Sequence, residues 1–328
     1  MIRSWPTFRR WALATAVAAL VLLLAGSWYV GGALVEPANR PVGAPPADLP
    51  ITSTALQSQS GSRLATWHLH RPDSHATLVL LHPIRGNRRS MLDRARLFYN
   101  EGYSIVLVDM QAHGESPGEH ITIGHLERHD VRAAVTFARE TSPQHRVGVV
   151  GCSLGGAALL LASPLNVDAA VVEAVYPTIT EAVHNRIALR LGPASHLLTP
   201  ALVWQLRPRL GIVPADLQPI DCIAEVGCPI LIAGGSLDRH TTLAETERLY
   251  ASAAEPKQLV VFDGAAHTDL FAHDGDAYRR AILPFLAAHL RPEPIGVSTE
   301  KAHAEMPRAP AVDRRAPRDS AAAGSTAH

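Results

Sequence analysis

Residues 147–156 read Val-Gly-Val-Val-Gly-Cys-Ser-Leu-Gly-Gly, so an apolar β-branched run leads straight into Gly151-Cys152-Ser153-Leu154-Gly155, and an apolar stretch of helical character follows. A serine in this strand–turn–helix context can attack a carbonyl carbon. The flanking glycines leave room for a turn that side chains would obstruct, and the turn lifts the Ser153 hydroxyl clear of the sheet. The amide of Leu154 then sits at a helix N-terminus, where it can stabilise a developing oxyanion.

A hydroxyl nucleophile needs a base, and the base needs an orienting acid. Two later segments supply both residue types. The strand-like run Pro229–Ala233 precedes Gly234-Gly235-Ser236-Leu237-Asp238, and Gln258–Phe262 precedes Asp263-Gly264-Ala265-Ala266-His267. Each puts its ionisable residue in the loop just past a strand, in the chain order Ser153, Asp238, His267. Asp263 and Asp269 compete with Asp238 for the same imidazole. His82 and His113 read as hydrogen-bonding loop braces, His240 as a rim residue, and His184 and His196 as packing or surface residues. The cluster His68-Leu-His70-Arg-Pro-Asp73-Ser-His75 has the wrong spacing for a metal motif and is interrupted by a proline. It reads as a strand end and turn, so no metal and no cofactor is expected.

The elements that must hold these residues alternate along the chain. Residues 51–57 and 63–70 suit a hairpin about Gly61. Strands are expected at Thr77–His82, Ser104–Asp109, Val147–Val150, Ala169–Ala174, Pro229–Ala233 and Gln258–Phe262. Helices are expected at Ser90–Gly102, Val131–Glu140, Leu154–Ala162 and Tyr278–Leu290. Continuous apolar strands separated by helices predict an α/β fold, a mostly parallel sheet covered on both faces. The alternation pauses at about residues 177–227, where Thr180–Leu191 and His196–Leu210 turn helical. An insertion leaving the carboxyl end of a strand predicts a short helical cap over the site.

Four motifs carry a resemblance to the α/β-hydrolase superfamily over about residues 51–290. Leu80-Leu81-His82-Pro83-Ile84-Arg85-Gly86-Asn87 stands where that family has its oxyanion loop. Asp109-Met110-Gln111-Ala112-His113-Gly114-Glu115-Ser116 stands for its Asp-x-Arg-Gly-x-Gly-x-Ser. The Ser153 elbow is the third motif, and the Asp238 and His267 loops complete the set. The chain is most similar to the serine-aminopeptidase-like branch, which also holds monoacylglycerol lipases and prolyl-oligopeptidase relatives. The resemblance implies an α/β-hydrolase fold. It also implies that Ser153 attacks, His267 moves the proton, Asp238 orients the imidazole, and the amides of Ile84 and Leu154 hold the oxyanion. Two departures stand out. Pro83 replaces a glycine, but the implied donor is the next amide, that of Ile84. Ala112 replaces the glycine before His113.

The chain has 328 residues, 47% of them hydrophobic, and a formal net charge of +0. No basic stripe runs through its body, so no nucleic-acid partner is expected. Three cysteines are too few for a disulfide scaffold. Cys152 reads as a buried filler; Cys222 and Cys228 are either a pair or two free thiols. Arg3, Arg9 and Arg10 precede a run from Ala12 to Val35 without a charged residue. As a helix this run is about 36 Å long, enough to cross a core of about 30 Å. Its length favours an uncleaved anchor over a cleaved signal peptide, with the body on the non-cytoplasmic side, periplasmic or extracellular. The expected organisation is an anchor or signal segment at 1–35, a proline-rich linker at 36–50, the catalytic domain at 51–291 and a disordered tail at 292–328. The expected function is a membrane-anchored serine esterase acting on small acyl-ester or lipid-like substrates. The alternatives are an amidase or aminopeptidase, for which Glu181, Asp216, Asp221 and Glu225 in the cap are candidate amine-binding acids, and a non-catalytic binding module on the same fold.

Overall fold

The computed structural model describes residues 5–291; the tail expected at 292–328 and Arg3 lie outside the described residues. The apolar runs form one eight-stranded sheet. Its strands are β1 (Ile51–Gln57), β2 (Arg63–Leu69), β3 (Ala76–Leu81), β4 (Ser104–Val108), β5 (Arg146–Cys152), β6 (Ala169–Glu173), β7 (Ile230–Gly235) and β8 (Lys257–Phe262). They lie in the order β1-β2-β4-β3-β5-β6-β7-β8. β2 is antiparallel to β1 and β4, and every other neighbouring pair is parallel. Side chains of β3 to β6 are buried almost throughout, as strands covered on both faces must be. Leu81 pairs with Gly151, Cys152 with Glu173, Glu173 with Ala233, and Gly235 with Phe262. This register aligns the carboxyl ends of β3, β5, β6, β7 and β8 along one edge, where the candidate residues emerge.

Two apolar cores cover the sheet. On one face, α3 (Glu127–Thr141), α4 (Leu154–Leu161) and α8 (Leu243–Ser252) pack through Val131, Leu159 and Leu249. On the other, α2 (Leu92–Asn100) and α9 (Gly275–Leu290) pack through Phe98, Tyr278 and Leu286. The cap consists of α5 (Ile179–Leu191), α6 (Ser195–Trp204) and α7 (Leu206–Leu210). The stretch expected as one helix at His196–Leu210 is thus divided at Gln205, because Pro208 has no N–H to donate to the Trp204 carbonyl. Helix α3 begins four residues earlier than its apolar period suggests, since Glu127 and Asp130 face inward. The Glu127 carboxylate accepts from the amides of Thr122 (2.9 Å) and Gly124 (2.8 Å), and that of Asp130 from the amide of Gln111 (2.7 Å). Helix α8 was not anticipated, although Thr242 and Glu245 form a capping box at its start.

Helix α1 (Trp5–Val35) is long and apolar enough to cross a membrane. Residues 8–26 are exposed, while Gly31 and Val35 are buried against the domain. Residues 36–50 lie along the domain instead of standing off it as a free spacer. Ala38–Asn39 pairs in parallel with His113–Gly114. The Glu115 carboxylate accepts from the Val42 amide (2.9 Å), and Arg89 donates to the carbonyls of Val42 (3.2 Å) and Ala44 (2.7 Å). Cys222 and Cys228 are free thiols.

Candidate active site

Ser153 sits between β5 and α4 with φ 48° and ψ −109°, a sparsely populated conformation for a residue with a Cβ. The surroundings over-determine it. Its amide donates to the Glu173 carbonyl at 2.8 Å, and its carbonyl accepts from Ala157 at 2.9 Å. A Cβ on Gly151 would lie 2.6 Å from the Gly156 nitrogen, and one on Gly155 would lie 2.5 Å from the Leu81 oxygen. Both glycines of the elbow are therefore required by close backbone approach.

The loops after β7 and β8 bring Asp238 and His267 to this serine. Ser153 Oγ is 3.5 Å from His267 Nε2, and His267 Nδ1 is 2.7 Å from Asp238 Oδ2. The first distance is long, as such bonds often are before substrate binds. The Asp238 carboxylate is fully buried and also accepts from the amides of His240 (2.7 Å) and Thr241 (2.9 Å) and from the Thr241 hydroxyl (2.7 Å). Burial pushes its pKa up, but the bonds from His267 and Thr241 outweigh burial and hold it below the ordinary carboxylate value. It is thus an anion at neutral pH. The competing acids are engaged elsewhere. Asp263 accepts from Ser236 Oγ (3.1 Å); Asp269 pairs with Arg94 (2.8 Å) and accepts from the amides of Phe271 and Ala272. Thr241 was not singled out in the sequence, although a hydroxyl three residues after a loop aspartate is the arrangement that closes such a turn.

Behind the elbow lies a buried ionic group that sequence reasoning missed. Arg94 Nη2 is 2.6 Å from Glu173 Oε2, and the Tyr278 hydroxyl donates to Glu173 Oε1 at 2.6 Å. Cys152 donates to Glu173 Oε2 at 3.3 Å. Burial pushes the Cys152 thiol pKa well up, so it is neutral and no rival nucleophile. Because Glu173 also supplies the carbonyl that holds the Ser153 amide, this group supports the strained turn from below. Glu173→Ala leaves the Arg94 guanidinium without its buried partner and should cost about 3 kcal/mol. The check is urea unfolding, with a lower midpoint at unchanged slope.

The loop after β3 follows a similar logic. His82 accepts from the Met110 amide through Nε2 (3.0 Å) and donates through Nδ1 to the Pro83 carbonyl (2.9 Å). Burial, with His113 nearby, drives its pKa down to about 3, so it is a neutral brace. His113 donates to the Gln111 carbonyl at 2.9 Å. Arg88 pairs with Asp109 and Glu115 and stacks 4.6 Å from the Trp67 ring centroid, which anchors the two loops to each other. Ala112 has φ 58°, so the glycine of the family pattern marks a left-handed position that alanine occupies here at a cost. Among the described residues the Ile84 amide has no acceptor, and Leu154, first residue of α4, has no intrahelical one.

Ile84, Ser153 and Leu154 line one cavity of about 610 Å³. Its walls include Ile123, Tyr176, Ile179 and Val183, together with Ile187, Leu198 and Leu202 of the cap. Ile123 has φ 55°, a strained value for a β-branched residue, and its carbonyl is held by the Tyr176 hydroxyl at 2.7 Å. The charged side chains on the lining are Arg186 and Arg190, beside His240, and no carboxylate is among the lining residues.

Residues 72–206 match the model of a family described as serine aminopeptidase, S33. The protein YqkD of Bacillus subtilis is 23% identical over 240 residues, which are 72% of this chain and 79% of its own length. The α/β-hydrolase domain-containing protein WAV2 of Arabidopsis thaliana is 26% identical over 250 residues, 70% of this chain and 77% of WAV2. Among solved structures, the Pyrococcus furiosus esterase Pf2001 superposes with a TM-score of 0.66 at 17% identity, covering 79% of this chain and 99% of that one. These likenesses show that the chain has the α/β-hydrolase fold and support a place in that superfamily.

Proposed function

We propose that the protein is a serine hydrolase that cleaves carboxylic esters with apolar acyl groups through Ser153, His267 and Asp238. Ser153 Oγ attacks the ester carbonyl while His267 Nε2 takes its proton. The tetrahedral oxyanion faces the free amides of Ile84 and Leu154. Collapse expels the alcohol, which receives the proton from His267 and leaves an acyl group on Ser153. Water, deprotonated by the same imidazole, attacks this acyl-enzyme and releases the acid. Asp238 keeps the Nδ1 proton in place and stabilises the imidazolium throughout.

The observation that carries ester over aminopeptidase is the lining of the cavity. A peptidase for free N-termini needs a carboxylate where the ammonium would sit, and here the charged groups are Arg186 and Arg190. Of the cap acids, Glu181 pairs with Arg248 at 2.5 Å and Asp216 accepts from the Val213 amide at 2.9 Å; neither they nor Asp221 and Glu225 line the cavity. The N-terminal arginines and the apolar α1 support a membrane anchor with this domain on the non-cytoplasmic face.

The test is a series of p-nitrophenyl esters beside aminoacyl anilides, measured on the full chain in detergent. From acetyl to longer acyl groups, kcat/KM should rise by up to about fourfold per buried methylene. Faster turnover of free-amine anilides than of every ester would reject the reading in favour of a peptidase.

A further inference from the structure

The cavity in front of Ser153 is not closed by the catalytic domain and its cap alone. Leu23, Gly26, Ser27, Val30 and Leu34 of α1 form part of its wall, opposite Leu198 and Leu202 of α6. We propose that α1 is both the membrane span and a wall of the acyl pocket, so that a long-chain acyl ester passes from the bilayer to Ser153 along this helix. The inference rests on the esterase reading and adds the source and route of the substrate.

Docking of α1 is specific to its last turns. Gln205 Nε2 donates to the Ser27 carbonyl (3.2 Å) and hydroxyl (3.0 Å). Arg209 donates to the Trp28 carbonyl and lies 3.9 Å from the Trp28 ring centroid. Arg85, one residue beyond the oxyanion donor Ile84, donates to the Ala33 carbonyl at 2.5 Å, and the Val35 carbonyl accepts from Ile121 at 2.9 Å. A Cβ on Gly31 would lie 2.9 Å from Gln205 Cδ, so a side chain there would push the Gln205 amide off its present position. The preceding turns, carrying Trp11, Leu20, Leu22 and Leu24, are exposed and need an apolar surrounding.

Depth arithmetic joins the two halves of the helix. A hydrocarbon core of about 30 Å takes about 20 helical residues at about 1.5 Å each. Counted from Trp11, which follows the charged pair Arg9-Arg10, that length ends at Val30. Leu23, Gly26, Ser27 and Val30 then sit at the depth of the leaflet nearest the domain, where the cavity meets acyl chains directly. On the cap, Leu191, Leu197 and Trp204 are exposed beside the charged Arg190 and Arg207, a composition suited to the boundary between acyl chains and headgroups. Cleavage near Ser27 would remove Leu23 and Gly26 from the wall, so the proposal requires that α1 be retained.

Bulk added on α1 inside the pocket tests this. Val30 lines the cavity, and a Cβ on Gly26 meets nothing within 4 Å, so Val30→Trp and Gly26→Phe can occupy the space without displacing the helix. In either full-length variant, kcat/KM for a dodecanoyl p-nitrophenyl ester should fall by about tenfold or more relative to wild type, and the ratio of dodecanoyl to acetyl kcat/KM should fall by about tenfold as well. Val21→Phe, outside the lining, should change neither. A thermal unfolding midpoint close to that of wild type serves as the folding control. A second measurement places wild type in phosphatidylcholine vesicles with a fluorogenic, non-exchanging long-chain ester. Ester in the enzyme's own vesicles should be cleaved about tenfold or more faster than the same ester in added protein-free vesicles. An unchanged dodecanoyl-to-acetyl ratio in both pocket variants, or equal rates in the two vesicle arrangements, overturns the proposal. A wild type that hydrolyses no ester at all would instead overturn the esterase reading beneath it.

Discussion

Ser153→Ala is expected to lower kcat for a p-nitrophenyl ester by about 10⁵- to 10⁶-fold, with KM nearly unchanged. In the proposed mechanism the hydroxyl forms the covalent bond, so no other group on the cavity wall should substitute for it. Cys152, its neighbour, is buried, held by Glu173 and kept neutral. His82 and His113 are engaged with backbone groups. The residual rate should reflect the free amides of Ile84 and Leu154 acting on water attack alone. Labelling by a fluorophosphonate provides an independent readout, since it reports the nucleophile without reference to the substrate. The variant should take no label while its thermal unfolding stays close to wild type. Labelling of Ser153→Ala at the wild-type rate would remove the central claim.

Asp238→Asn should lower kcat by about 10⁴-fold while leaving the fold intact. Its side chain is the same size and stays in the same buried turn. The difference lies in the protons. The carboxylate accepts from His267 Nδ1 at 2.7 Å while also accepting from the His240 and Thr241 amides and the Thr241 hydroxyl. The His240 and Thr241 amides both donate to Oδ1, so an asparagine keeps its oxygen there and turns its amino group toward the imidazole and the Thr241 hydroxyl, which can accept in place of donating. His267 then takes the tautomer with its proton on Nε2, facing Ser153, and can no longer accept one. Single-turnover ester hydrolysis across pH is the measurement. A loss below about tenfold would mean that another acid, Asp263 or Asp269, orients the imidazole.

Much of this protein was legible in the sequence because the informative signals are local. Continuous β-branched runs named the strands of the parallel sheet, since burial on both faces demands apolar residues at consecutive positions. Gly151 and Gly155 marked the elbow because a sharp turn tolerates no side chain at those places, whatever packs around it. The loop positions of Asp238 and His267 followed from the ends of β7 and β8. The remaining features depend on contacts between residues far apart in the chain. Arg94, Glu173 and Tyr278 come from three separate elements, and no spacing rule connects them; only the sheet register and the packing of α2 and α9 bring them under Ser153. Inward-facing Glu127 and Asp130 break the apolar period, so the start of α3 was read late. Residues 36–50 look like a spacer from composition, yet Glu115 and Arg89 supply hydrogen-bond partners for their backbone. Helix α1 is apolar on every side, so its sequence announces a span but gives no face. The tertiary structure chose the face, because Gln205 and Arg209 hydrogen-bond to Ser27 and Trp28, and that choice made the helix part of the pocket wall.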